Sequence, residues 1–182
     1  MILGPDGRVA PCRYVESPNH DERPTGEEVT LLVVHSISLP PGAYGGDAIE
    51  RFFTNRLDAA AHPYFQEIHA LRVSSHYLIR RDGQVVQFVD PARRAWHAGV
   101  SSWRGRSRCN DFSIGIELEG TDADAFSASQ YAALAALVRE LQRRFPLRDV
   151  AAHSDVAPGR KTDPGAGFDW ARFSHALAVS QH

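Results

Sequence analysis

The sequence predicts a single α/β domain, a central mixed β-sheet flanked by α-helices. Three observations predict it. Val29-Thr30-Leu31-Leu32-Val33-Val34 is a continuous, β-branched apolar run, the pattern of a strand covered on both faces. Ser127 to Phe145 and Asp169 to Leu177 carry apolar residues at three- and four-residue steps, the pattern of helices with one buried stripe. Between them, two short apolar runs flank Asp82-Gly83, a tight turn that joins antiparallel strands. A sheet holding both a doubly covered strand and such a hairpin is mixed.

Residues 1–28 hold Pro5, Pro11, Pro18 and Pro24 among scattered charges and read as an irregular lead-in, with the domain itself over residues 29–182. The first strand ends at His35. Gly45-Gly46 leads to Asp47, with Glu50 three residues on and Ile49, Phe52 and Phe53 as an apolar face, which predicts a short helix opened by a capping box. From Asn55 to Leu71 the periodicity weakens and no element is assigned. His76–Ile79 and Val85–Val89 form the hairpin, and a loop rich in Arg and Trp runs from Pro91 to Asp111. Ile114 to Glu119 alternates strictly, which puts Ile114, Ile116 and Leu118 on one face and Glu117 and Glu119 on the other. Ser127 with Gln130 caps the long helix, whose stripe is Tyr131, Leu134, Val138, Leu141 and Phe145 and which stops at Pro146. Val150-Ala151-Ala152 is a short strand delivering His153. After a turn-rich loop from Ser154 to Gly167, Asp169 opens a last helix with Trp170, Phe173 and Leu177 facing inward.

With 20 basic and 22 acidic residues the formal charge is −2, which removes the long-range field that nonspecific nucleic-acid or anionic-membrane binding requires. A chain of 182 residues buries roughly 70% of its unfolded surface, so folding needs no metal staple and a bound metal would serve function. Cys12 and Cys109 lie far apart without metal-type spacing, so no disulfide framework is expected and a reducing compartment is the natural setting. Met1 to Glu28 has no apolar stretch of signal-peptide length, and Leu31–Val34 is too short to span a bilayer. The expectation is a cytoplasmic monomer whose partner is a small molecule, with no nucleic acid and no membrane.

Position sorts the nine histidines. His35 and His153 both stand just past an apolar strand, where a rigid frame can assemble a site. The loop after His153 adds Lys161 and Asp163 on a path fixed by Pro158, Gly159, Pro164 and Gly165. Two imidazoles and one carboxylate suit a single Zn²⁺ with a fourth position open to water, and hydrolysis is the obvious use. Asp163 alone would read as a turn residue before Pro-Gly. Glu117 sits in mid-strand, where Glu is disfavoured. Facing a cleft, it would lose solvation, gain a raised pKa, take a proton from attacking water and deliver it to a leaving amine. Glu119 shares that face, and alternation does not separate the two. The ammonium of Lys161 could neutralise the oxyanion of a tetrahedral intermediate.

Leu32-Val33-Val34-His35 with Ile37-Ser38-Leu39-Pro40-Pro41-Gly42, His76-Tyr77-Leu78-Ile79-Arg80-Arg81-Asp82-Gly83 and Arg94-Ala95-Trp96-His97-Ala98-Gly99 recur together with Cys109 to Gly120 and Arg160-Lys161-Thr162-Asp163-Pro164-Gly165. This ordered set, spread over nearly the whole chain, closely resembles the cytoplasmic 1,6-anhydro-N-acetylmuramoyl-L-alanine amidases of bacterial cell-wall recycling, within the zinc amidase and peptidoglycan-recognition superfamily. The resemblance implies that His35, His153 and Asp163 bind zinc, that Glu117 rather than Glu119 is the general base, and that Lys161 stabilises the transition state. It implies as substrate an anhydro-muropeptide, cut between the lactyl group and L-alanine, in a pool linked to β-lactamase induction. The implied fold is again a mixed sheet with flanking helices. One position departs: the family often has Asn after the first zinc histidine, and this chain has Ser36, which cannot reproduce an amide's donor and acceptor pair.

Muropeptide stems carry carboxylates, which guanidinium groups bind in bidentate fashion, and sugar faces pack on indole. Arg72, Arg108, Trp96 and His97 are the expected substrate contacts, helped by the resemblance, whereas Arg104 and Arg106 read as solvated charges. The competing reading is a non-catalytic module of the same fold that binds peptidoglycan fragments. A pure receptor needs no open metal site with both a base and an electrophile, and here all five positions are suitably filled. A phage-type amidase acting on intact wall would call for export or a lysis partner.

Overall fold

Strand β1 (Arg13–Tyr14) lies at one edge of the central sheet, and β2 (Leu31–Ile37) near the other; between them in the chain no helix occurs. Helices α1 (Ala48–Phe53) and α2 (Pro63–Ile68) follow, then the strands β3 (Tyr77–Ile79), β4 (Val85–Gln87) and β5 (Ser113–Glu119). The chain closes with α3 (Ala128–Gln142), β6 (Asp149–Ala152), α4 (His153–Val156) and α5 (Trp170–Ala178). The structure, a computed structural model, describes residues 1–179, so the last three residues of the expected domain lie outside the described residues.

The six strands stand in the order β6-β2-β5-β3-β4-β1. Neighbours are parallel except β3 and β4, which form the hairpin with Ile79 opposite Val85 and Tyr77 opposite Gln87. The turn is the Asp82-Gly83 one: Gly83 has φ +89°, a conformation that costs a residue without Cβ nothing. The mixed sheet with flanking helices is therefore the architecture that the sequence predicts.

Period-two alternation divides the sheet into two faces. Leu32 and Val34 of β2, with Ile114, Ile116 and Leu118 of β5, pack beneath Tyr131, Leu134, Val138 and Leu141 of α3 and Phe173 of α5. The capping box of α3 is present: the Ser127 hydroxyl accepts from the Gln130 N–H (3.1 Å), and the Gln130 side chain accepts from the Ser127 N–H (3.0 Å). The opposite face carries Leu31 and Val33, then His35, on β2, and Gly115, Glu117 and Glu119 on β5. That face holds the site.

Four expectations change. Residues 1–28 contribute β1 to the sheet edge, and Val9 within them is buried in the main core. Asp47 makes no capping hydrogen bond to α1, because its carboxylate takes the Arg51 guanidinium (2.7 Å) and Glu50 is drawn to Arg80. Residues 55–71 contain α2, opened by Pro63 in its first turn. Trp170 is exposed rather than inward-facing: Phe168 takes the core position, and the indole lies against it (centroids 4.7 Å).

Candidate metal and active site

Val34 of β2 pairs with Ala152, the last residue of its parallel neighbour β6, so the residues that follow, His35 and His153, meet, and β2 itself runs on to Ile37 rather than ending at His35. His35 is the fifth residue of β2, and His153 follows the last residue of β6. Asp163 returns on the loop after α4, where its carbonyl accepts from the Ser154 N–H (3.0 Å). Nδ1 of His35 lies 2.9 Å from Nδ1 of His153 and 3.2 Å from Oδ2 of Asp163; Nδ1 of His153 lies 3.0 Å from that oxygen. Donors about 2.0 Å from one tetrahedral zinc stand about 3.3 Å apart, so the triangle fits such an ion. Nitrogen lone pairs and a carboxylate brought this close repel unless a cation or a proton stands among them.

Burial lowers the His35 pKa to about 4, which keeps the ring in its neutral, ligating form at neutral pH. Burial alone would raise that of Asp163, but the His153 and His35 imidazoles against its carboxylate outweigh it and hold the group well below the carboxylate range. His35 and Asp163 are thus in the forms that bind a divalent ion.

Glu117 pairs in register with His35 on the adjacent strand. It is buried, and its Oε2 has no hydrogen-bond partner among the described residues. Desolvation by burial pushes its pKa well above the ordinary carboxyl value, the Asp163 charge adds to the rise, and Lys161 opposes it. Glu119, its neighbour on the same face, is committed elsewhere: its carboxylate accepts from Arg80 (3.0 Å) and from the N–H groups of Gly45 (2.7 Å) and Arg81 (3.2 Å). What lies opposite each carboxylate separates the two, and alternation could not reveal it.

A cavity of about 540 Å³ opens over the triangle. Its lining includes polar groups, Glu117, Lys161 and Thr121 with the three clustered side chains, and apolar ones, Ile37, Phe52, Tyr64, Ile68, Leu71 and Trp96. Trp96 and His97 thus line the cavity. The ring nitrogens of His97 are both engaged within the protein, with His35 (2.9 Å) and Ser113 (3.1 Å). Arg72 and Arg108 lie outside the lining. Arg72 is exposed, between the lining residues Leu71 and Val73, with its guanidinium on the carbonyls of residues 69–71. Arg108, at φ +62°, pairs with Asp111 (3.1 Å).

Sequence reading missed Asp122. Its Oδ1 accepts from Ser36 (3.3 Å), its other oxygen accepts from Thr162, and its carbonyl accepts from the Gly167 N–H (2.8 Å). Asp122 therefore ties the residue after His35 to the loop that bears Asp163, and this is what Ser36 does here. The α2 part of the cavity lining was missed as well, its one local signal being Pro63.

A family signature described as N-acetylmuramoyl-L-alanine amidase matches residues 25–166. The 1,6-anhydro-N-acetylmuramyl-L-alanine amidase AmpD of Citrobacter freundii is 55% identical over 184 residues, covering 100% of this chain and 98% of its own. A crystal structure of a selenomethionine AmpD derivative superposes with a TM-score of 0.95 at 55% identity, over 97% of this chain and 99% of that one. A structure of the amidase AmiD from E. coli, in complex with its substrate anhydro-N-acetylmuramic acid-L-Ala-D-gamma-Glu-L-Lys, gives a TM-score of 0.60 at 28% identity, over 85% and 60% of the two chains. With the signature spanning most of the sheet and every residue of the triangle, this chain belongs to the N-acetylmuramoyl-L-alanine amidase family.

Proposed function

We propose that this protein is a zinc-dependent amidase that cleaves anhydro-muropeptides between the lactyl carbonyl of 1,6-anhydro-N-acetylmuramic acid and the nitrogen of L-alanine. One observation carries the reading: three ligand atoms converge within 3.2 Å of one another beside a buried carboxylate with an unpartnered oxygen. The full-length likeness to AmpD supports the anhydro sugar.

His35, His153 and Asp163 would hold one zinc ion. When bound, the ion supplies a Lewis acid that polarises the scissile carbonyl and acidifies water. Glu117 takes the proton from the attacking water as its oxygen bonds to the lactyl carbonyl carbon. The same carboxyl then gives that proton to the alanine nitrogen as the C–N bond breaks, leaving a free amino group and a lactyl carboxylic acid that ionises by releasing water's second proton. Lys161 offers its ammonium to the carbonyl oxygen while that oxygen bears negative charge. The Trp96 indole, in the cavity lining, packs against the sugar face, and Arg72 and Arg108, outside that lining, meet stem carboxylates.

Among the described residues no helix is long and apolar enough to cross a membrane. Action in the cytoplasm on a muropeptide fragment, by a monomer, is part of the same proposal.

Incubation with anhydro-muramoyl-tripeptide, followed by mass spectrometry, tests the proposal. Release of the peptide with a free L-alanine amine, abolished by a chelator and restored by zinc, is the expected result. An intact substrate with the zinc-loaded protein would overturn it.

A further inference from the structure

The hydrogen-bond chain behind the triangle has a direction. Oγ of Ser113 lies 2.6 Å from the Cys109 carbonyl, which can only accept, so the hydroxyl hydrogen is spent there. Toward His97, 3.1 Å from Nε2, the same oxygen can then act only as an acceptor. His97 is therefore protonated on Nε2, and its Nδ1 presents a lone pair to Nε2 of His35 at 2.9 Å. His35 must supply the hydrogen from Nε2, which leaves its Nδ1 bare and turned toward His153 and Asp163.

We propose that His97 is a positioning residue for the metal centre: anchored by Ser113, it selects the tautomer of His35 whose Nδ1 is free to bind the ion. The proposal rests on the reading that the triangle holds a metal. The next residue does the same for the second histidine, since the Ala98 carbonyl, 3.2 Å from Nε2 of His153, accepts a hydrogen there and frees its Nδ1. Two consecutive residues thus set both imidazoles.

The surroundings hold His97 for this task. Asn110 Oδ1 accepts from the N–H groups of His97 (3.2 Å) and Ala98 (2.8 Å), which fixes the backbone. Gly115, on the strand beneath, makes room for the ring: a Cβ there would stand 2.5 Å from its Cγ. The ring is buried and meets His35 edge-on, with centroids 5.0 Å apart.

The test combines zinc affinity, from chelator competition, with long-range ¹H–¹⁵N spectra of the ring nitrogens of the zinc-loaded protein. His97 protonated on Nε2 is the expected spectrum, and protonation on Nδ1 overturns the proposal without any variant. His97→Leu, which removes the acceptor, should weaken zinc binding by about 10- to 100-fold. His97→Asn, whose Oδ1 can stand where Nδ1 stood, should recover most of that loss. Equal affinity in the Leu variant, or no recovery in the Asn variant, overturns the proposal. Should the Leu variant fail to fold, Ser113→Ala decides: it should release the tautomer preference of His97, and an unchanged spectrum counts against the relay. Zinc uptake that survives in His35→Ala and His153→Ala instead removes the metal reading itself, and leaves the His97 spectrum to report the chain's direction alone.

Discussion

Glu117 and His35 face each other across the parallel pair β5 and β2, so one register fixes the proposed base beside the first proposed ligand. A one-residue slip of either strand would send its own member of the pair to the opposite face of the sheet, into the apolar layer under α3. Because the carboxylate touches no proposed ligand atom, its removal should separate chemistry from metal binding. Glu117→Gln is expected to retain zinc at wild-type stoichiometry and to lose about 10²- to 10⁴-fold in kcat. Metal analysis and turnover of one preparation check this; a variant that keeps most of its rate removes Glu117 from the mechanism.

Lys161 is the only lysine in the chain, against nineteen arginines. It lines the cavity from an exposed position. An amine-reactive reagent therefore has one side chain to modify. Acylation of Lys161 should abolish turnover by removing the charge, and the product or substrate should protect it. Peptide mapping with residual activity checks the correspondence: full activity with Lys161 fully acylated would exclude it from the transition state.

The Asp122 clamp predicts a loss at a distance. Gly165 has φ +75°, and a Cβ there would run into the backbone of Asp122. Gly165→Ala should displace the loop bearing Asp163 and lower zinc affinity by roughly tenfold or more. Ser36→Ala, which removes one 3.3 Å hydrogen bond, should cost less. Chelator competition on both variants tests the order.

The sequence disclosed most where the determining chemistry is local. The Ser127–Gln130 box and the Asp82-Gly83 turn are complete within four residues, and both appear as read. The contribution of β1 was hidden because the strand is two residues long and its partner lies more than seventy residues away. Glu117 and Glu119 are indistinguishable by alternation. They differ because Arg80, bonded to both Glu119 and Glu50, neutralises only the second of them. Arg72 and Arg108 follow from residue type helped by the resemblance, and neither signal reports which guanidinium lines a cavity. The His97 relay was invisible for the same reason: its direction depends on a carbonyl, which every residue has.

His76 supplies a prediction on acid stability that is independent of catalysis. It is fully buried, with Nδ1 accepting from the Gly115 N–H (3.0 Å) and Nε2 against the Arg93 carbonyl (3.0 Å). Burial first, and the Arg23 charge second, lower its pKa from 6.5 to about 3. Between those values the unfolded chain takes up a proton that the native state refuses, so stability is lost as pH falls from 6.5 toward 3. Each such group contributes a slope of about 1.4 kcal/mol per pH unit. In His76→Asn, Oδ1 can still accept from Gly115 while the titrating group is gone. The variant should be less stable than the wild type at pH 7, through lost packing, yet lose stability less steeply on acidification. Urea unfolding at several pH values down to 4 measures both slopes, and identical slopes would show that His76 titrates alike in the folded and unfolded chains.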